Sequence, residues 1–128
     1  MDRYLGEHSL PQLTDDEFAA ERAKAREYSV CILKAGPKFE RPDPEFRSEV
    51  SQIIWQHGRR NVALHKSGLM PVVCPISDGS GTTGICIFNL PPEEAARVMD
   101  HDPGVQAGVF TYEVHPCRSF PGSTLPEP

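Results

Sequence analysis

Asp100–Pro116, DHDPGVQAGVFTYEVHP, joins the end of a short helix, a tight Asp102-Pro103-Gly104 turn and a strongly alternating strand. Over Val109–His115, Phe110, Tyr112 and Val114 fall on one face, and Thr111, Glu113 and His115 on the other. A period of two is the mark of a strand with one face toward a core. Asp102, at the turn, is one of two polar residues singled out as functional candidates. The other is His57, in the middle of an apolar helical stripe.

The remaining elements follow outward from this stretch. Pro91-Pro92-Glu93-Glu94 opens a helix that runs to about His101 and buries Ala95, Val98 and Met99. Thr83–Leu90 and Leu69–Pro75 read as strands joined by Ser77–Thr82, SDGSGT, a turn-rich connection. Asp43-Pro44-Glu45 reads as a helix start, with Asp43 as cap, Pro44 in the first turn and Glu45 beside the positive dipole end. That helix is expected to run to Ser67 and to stop at Gly68. Tyr28–Ala35, YSVCILKA, is the first strand, and Thr14-Asp15-Asp16-Glu17 is a capping box opening a helix to about Arg26.

The order is helix, then β-α-β-β-α-β. It predicts an α+β fold: a ferredoxin-like subunit with an N-terminal helical extension, both core helices covering one face of the sheet. Domain limits are 1–27 for the extension, 28–117 for the main domain and 118–128 for a Pro-rich tail expected to be extended or mobile. The second sheet face also carries apolar side chains, so a second copy packed sheet to sheet, a homodimer, or a ligand under a lid is expected to cover it.

Placed on a wheel at about 100° per residue, Phe46, Val50, Ile53, Ile54, His57, Asn61 and Leu64 share one sector. An imidazole drawn out of water there stays neutral and able to accept a proton, the property of a general base. The competing reading is a core histidine with one backbone hydrogen bond. His8, His65, His101 and His115 lie at margins or ends and read as surface or structural. Trp55 and Val62 point away from the stripe, with the N-terminal helix or a dimer contact as candidate covers.

Composition narrows the functional classes. The chain has 128 residues, one domain by size. Its net charge is −5, from 13 Lys and Arg against 18 Asp and Glu, without a basic block. That argues against nucleic acid or an anionic membrane as a partner and leaves a small molecule open. No apolar run reaches the roughly 20 residues a membrane span needs, and the N-terminal stretch lacks a signal-peptide core, so a cytoplasmic protein is expected. Cys31, Cys74, Cys86 and Cys117 form no CxxC pair, and structural thiols are expected rather than a metal site. SDGSGT lacks the Gly-x-x-x-x-Gly-Lys of a phosphate loop, and no cofactor signature is found.

At this point the chain resembles the YCII-related (YciI-like) family over about Tyr28–Cys117. The resemblance rests on His57 eleven positions before Gly68, Pro75 seven beyond it, and the Asp100–Pro116 stretch. It implies a dimeric α/β barrel of ferredoxin-like subunits and a pocket His/Asp pair, placed here on His57 and Asp102. Cys74 stands where relatives commonly have Gly, and Gly58-Arg59-Arg60 replaces an apolar-rich turn. The expected chemistry is cofactor-free proton transfer of lyase or isomerase type on a small cyclic or aromatic molecule. His57 is the base, Asp102 orients it, and Asn61, Ser29 and Cys74 are the substrate-binding candidates. Nucleophilic catalysis by Cys74 is the weaker reading, because no His partner is derivable for it. A non-catalytic dimeric binding or accessory protein is the alternative class.

Overall fold

The structure, a computed structural model, describes Gly6 and residues 9–128; the expectation for His8 lies outside the described residues. Its elements are α1 (Asp15–Arg22), β1 (Arg26–Ala35), α2 (Glu49–Lys66), β2 (Val72–Pro75), β3 (Thr82–Phe88), α3 (Pro92–Asp100), α4 (Pro103–Gln106) and β4 (Phe110–Ser119). The chain divides into two compact units, Glu27–Arg118 and a smaller one made of the segment ending at Arg26 together with Ser119–Pro128. In the smaller unit α1 begins at a complete capping box. The Thr14 hydroxyl accepts the Glu17 N–H, and the Glu17 carboxylate accepts the Thr14 N–H.

In the larger unit the four strands form one sheet in the order β2-β3-β1-β4, with β3 antiparallel to both β1 and β2. The register pairs Cys31 with Cys86 and Leu33 with Gly84, and on the other side Val73 with Cys86. Alternation then sends Cys31, Leu33, Phe88 and Phe110 to the helical face, where they meet Ala95 and Met99 of α3. Val50, Ile53, Ile54 and Leu64 of α2 pack against this core. The apolar stripe of α2 is therefore what docks the helix on the sheet.

The expected fold class is corrected. The chain is a mixed α/β fold with one open four-stranded sheet, and β2 and β4 are left as edges. It is not a ferredoxin-like subunit closed into a dimeric α/β barrel. The edge strands β2 and β4 do not pair with each other, so the sheet does not close. The outer face of the sheet carries both polar and apolar side chains. Lys34 and Glu113 form an ion pair there at 3.2 Å, and Val30, Ile32, Val72 and Ile87 are already half-buried in the single chain.

The start of α2 differs from the expected one. Asp43 does not cap the helix; its carboxylate accepts the backbone N–H groups of Arg47 and Ser48 at 2.9 Å, closing a turn. Those bonds hold the Asp43 carboxyl well below the usual carboxylate range. Phe46 inside that turn takes a positive φ of 53°, so it leaves the helical stripe. The helix begins at Glu49, where the Ser48 hydroxyl accepts the Ser51 N–H. Its end is as expected: Gly68 adopts φ +86° just beyond Ser67, a left-handed conformation that glycine enters without a Cβ penalty. Among the described residues, no helix is long and apolar enough to cross a membrane.

Candidate functional site

The turn after α3 builds one half of the site. Asp102 caps the four-residue α4: one carboxylate oxygen, Oδ2, accepts the N–H of Gly104 at 2.9 Å and of Val105 at 3.1 Å. Proline at the first position of that helix suits a place where no N–H partner is needed. Gly104 is required by crowding. A Cβ there would stand 2.4 Å from the Phe110 ring and 3.0 Å from Asp102 Oδ2. Asp102 is fully buried, and its other oxygen, Oδ1, points at α2.

That oxygen meets His57. Nδ1 of His57 lies 2.8 Å from Asp102 Oδ1, a buried pair joined across 45 residues of sequence. His57 is 8% exposed, and its ring packs on Phe110 with centroids 4.6 Å apart. The carboxylate accepts only, so Nδ1 carries the proton and donates it to Asp102. Nε2, the free ring nitrogen, is 3.1 Å from Asn61 Nδ2, one turn further along α2. The Asn61 amide nitrogen faces it and can donate to it when Nε2 carries no proton.

Behind the pair lies Arg60. Its Nη2 donates to the Val98 carbonyl at 2.7 Å, while Nη1 sits 3.8 Å from Asp102 Oδ1, buried and without a hydrogen bond of its own. The guanidinium thus sets a positive charge beside the buried Asp102 carboxylate.

His57 and Asn61 open onto a cavity of about 1160 Å³. Phe39, Phe46, Ile54, Trp55 and Phe110 supply apolar wall, and Trp55 packs edge-on against Phe46 with centroids 5.2 Å apart. Trp55 and Val62, expected to be covered, stand more than half exposed on the wall of this cavity. Cys31 and Cys86 contribute to another side. The two residues are register partners on β1 and β3, and the interaction of their thiols pushes that of Cys31 up and draws that of Cys86 down.

Of the candidate residues, His57, Asp102 and Asn61 come together. Cys74 also lines the cavity, on the exposed β2 edge. Ser29 does not join them: it is fully buried, its hydroxyl donates to the Leu90 carbonyl at 2.7 Å, and it does not line the cavity. Arg60, Phe110 and Gly104 went unsingled in the sequence. The first lies in the quoted Gly58-Arg59-Arg60 run and the others in the Asp100–Pro116 stretch, but no local pattern shows what each touches. Among the described residues, no group of three or more His, Cys, Asp or Glu side chains is placed to hold a metal ion. No family model matches the chain, and no curated protein matches it.

Proposed function

We propose that this protein catalyses proton transfer on a small cyclic or aromatic molecule, without a cofactor, with His57 as the base. The observation that carries the reading is the polarity of the imidazole. Asp102 holds Nδ1–H from the protein side, so the basic Nε2 is the nitrogen presented toward the cavity. Substrate entry displaces the Asn61 amide from Nε2. The Nε2 lone pair takes a proton from a carbon beside a carbonyl; the C–H electron pair becomes the carbon–carbon double bond of an enolate, and the carbonyl π pair moves to its oxygen. The released Asn61 N–H then donates to that oxygen, which gains charge in the transition state. Asp102 stabilises the imidazolium, which returns its proton to a second carbon for an isomerisation or to a leaving group for an elimination. Cys74 shapes the cavity wall next to Pro75.

The resemblance of Tyr28–Cys117 to the YCII-related family supports the same assignment of His57 and Asp102. It rests on the residues quoted for it. The alternative, a binding protein without chemistry, would be favoured by a His57 packed dry in the core. A ring bordering a large cavity favours catalysis instead.

The test is solvent-deuterium incorporation into a panel of cyclic ketones, lactones and phenols, followed by proton NMR. A substrate identified with the wild-type protein is expected to exchange about 10²–10⁴-fold more slowly with His57→Gln. Turnover within a few-fold of wild type in that variant would overturn the assignment.

A further inference from the structure

The cavity is walled by hydrocarbon and aromatic groups, yet its formally charged side chains are Arg41 and Arg59, with no Asp or Glu lining it. The bias runs against the chain, which has 18 acidic residues to 13 Lys and Arg. Among the described residues, neither arginine makes an ion pair, in contrast to Arg47, whose guanidinium lies 2.6 Å from Glu45. Arg41 comes from the loop before α2 and Arg59 from α2 itself, two residues after His57. Two unpaired guanidinium groups beside an apolar cavity match a carboxylate, which their planar donors bind in pairs.

A second feature sets the room for the rest of the molecule. Gly58 lies inside α2, where glycine costs about 1 kcal/mol of helix stability against alanine. A Cβ at Gly58 would meet nothing within 4 Å, and the residue lines the cavity. The missing side chain is therefore space added to the cavity, between Ile54 one turn before and Val62 one turn after.

We infer that the cavity selects an apolar, ring-bearing carboxylic acid, its carboxylate held by Arg41 and Arg59 and its ring lodged over Gly58 against the Phe46–Trp55 pair. This names the substrate class of the site proposed above and rests on that reading. The carboxylate stays with the arginines while the reacting carbon is turned toward His57. The arginines hold the molecule and take no proton.

Trp55 is the one tryptophan of the chain, so its fluorescence reports on the cavity directly. The probes are phenylacetate and its uncharged counterpart phenylacetamide, titrated into the whole protein at low salt. Phenylacetate is expected to bind about tenfold more tightly than the amide, a preference that shrinks with added salt. Arg41→Gln and Arg59→Gln each reduce that preference, and the double variant abolishes it. Gly58→Leu, which fills the space with a good helix former, is expected to bind neither probe while melting no lower than wild type. Equal binding of the two probes, binding of neither, or a preference that survives the double arginine variant would overturn the inference. His57→Gln separates the two claims, because it is expected to keep the phenylacetate preference. A kept preference with undiminished deuterium exchange in that variant removes the catalytic reading alone.

Discussion

Asp102→Asn is the substitution whose outcome the geometry determines most completely. In the wild-type protein Oδ2 accepts two backbone N–H groups and Oδ1 accepts the imidazole Nδ1–H. An asparagine amide has one oxygen and one NH₂. The two backbone donors at Gly104 and Val105 claim the oxygen, which turns the NH₂ toward His57. Nδ1 must then accept, and the imidazole proton moves to Nε2, so Asn61 rotates its amide to offer oxygen in place of nitrogen. The cap survives; what is lost is the difference between a charge-assisted and a neutral hydrogen bond, about 1–2 kcal/mol. At roughly 4 °C per kcal/mol for a chain of this size, the melting temperature falls by about 4–8 °C. Asp102→Ala strands three donors at once and is expected to cost about 3–5 kcal/mol. Two-bond proton–nitrogen correlations of the ring read the tautomer. The account predicts Nδ1–H in the wild type and Nε2–H in Asp102→Asn. The same tautomer in both proteins would refute the reasoning.

Three further outcomes follow from neighbouring contacts. Gly104→Ala drives a methyl group against the Phe110 ring and Asp102 Oδ2, so a loss of about 1–3 kcal/mol in denaturant titration is expected; an unchanged midpoint would show that the turn has slack. Asp43 has its carboxyl lowered from 3.8 by the Arg47 and Ser48 N–H groups, so its contribution is present above about pH 4 and lost as pH falls toward the lower folded value. Urea midpoints of the wild type should therefore drop more between neutral and strongly acid pH than those of Asp43→Asn, and parallel curves would contradict the assignment. Tyr112 donates to Asp100 at 2.5 Å, and burial with that bond raises its phenol to about 12. Its stabilising effect is complete below the ordinary tyrosine value near 10 and fades as pH rises toward 12. Spectrophotometric titration should show a late tyrosine that Tyr112→Phe removes; its persistence in that variant would place the late group elsewhere.

Strand alternation was the most legible signal. Phe110, Tyr112 and Val114 pack on the core as the period of two requires, and the stripe of α2 from Val50 to Leu64 does the same at helical spacing. Capping chemistry was ambiguous where two acceptors compete. Asp43 and Ser48 both present oxygens to N–H groups, and an acid followed by proline closes a turn as readily as it opens a helix, so the expected cap of α2 lies five residues before the actual one. Closure of the sheet was not legible at all. An apolar second face is compatible with a barrel, a dimer or an open sheet, and the polar Lys34–Glu113 pair is visible only once the register of β1 and β4 is in place.

The site divides along the same line. His57 and Asn61 were readable because one helix turn brings them together, and Asp102 through its conspicuous Asp-Pro-Gly turn. Arg60 behind Asp102 and Phe110 beneath His57 depend on contacts across 42 and 53 positions of sequence respectively, counted from the residue numbers, and no local period encodes such contacts. Ser29 failed for the opposite reason. Its place on β1 made it look available, but the Leu90 carbonyl takes its hydroxyl.

The central claim is that His57 and Asp102 act as one unit on substrate in the cavity. A double-mutant cycle of deuterium-exchange rates tests it most directly, with wild type, His57→Gln, Asp102→Asn and the double variant measured on one carbon acid. Groups that act as a unit give strongly non-additive losses. The account predicts a large loss for each single variant and no further loss when the two are combined. Losses that simply add, or single variants within a few-fold of wild type, would contradict it.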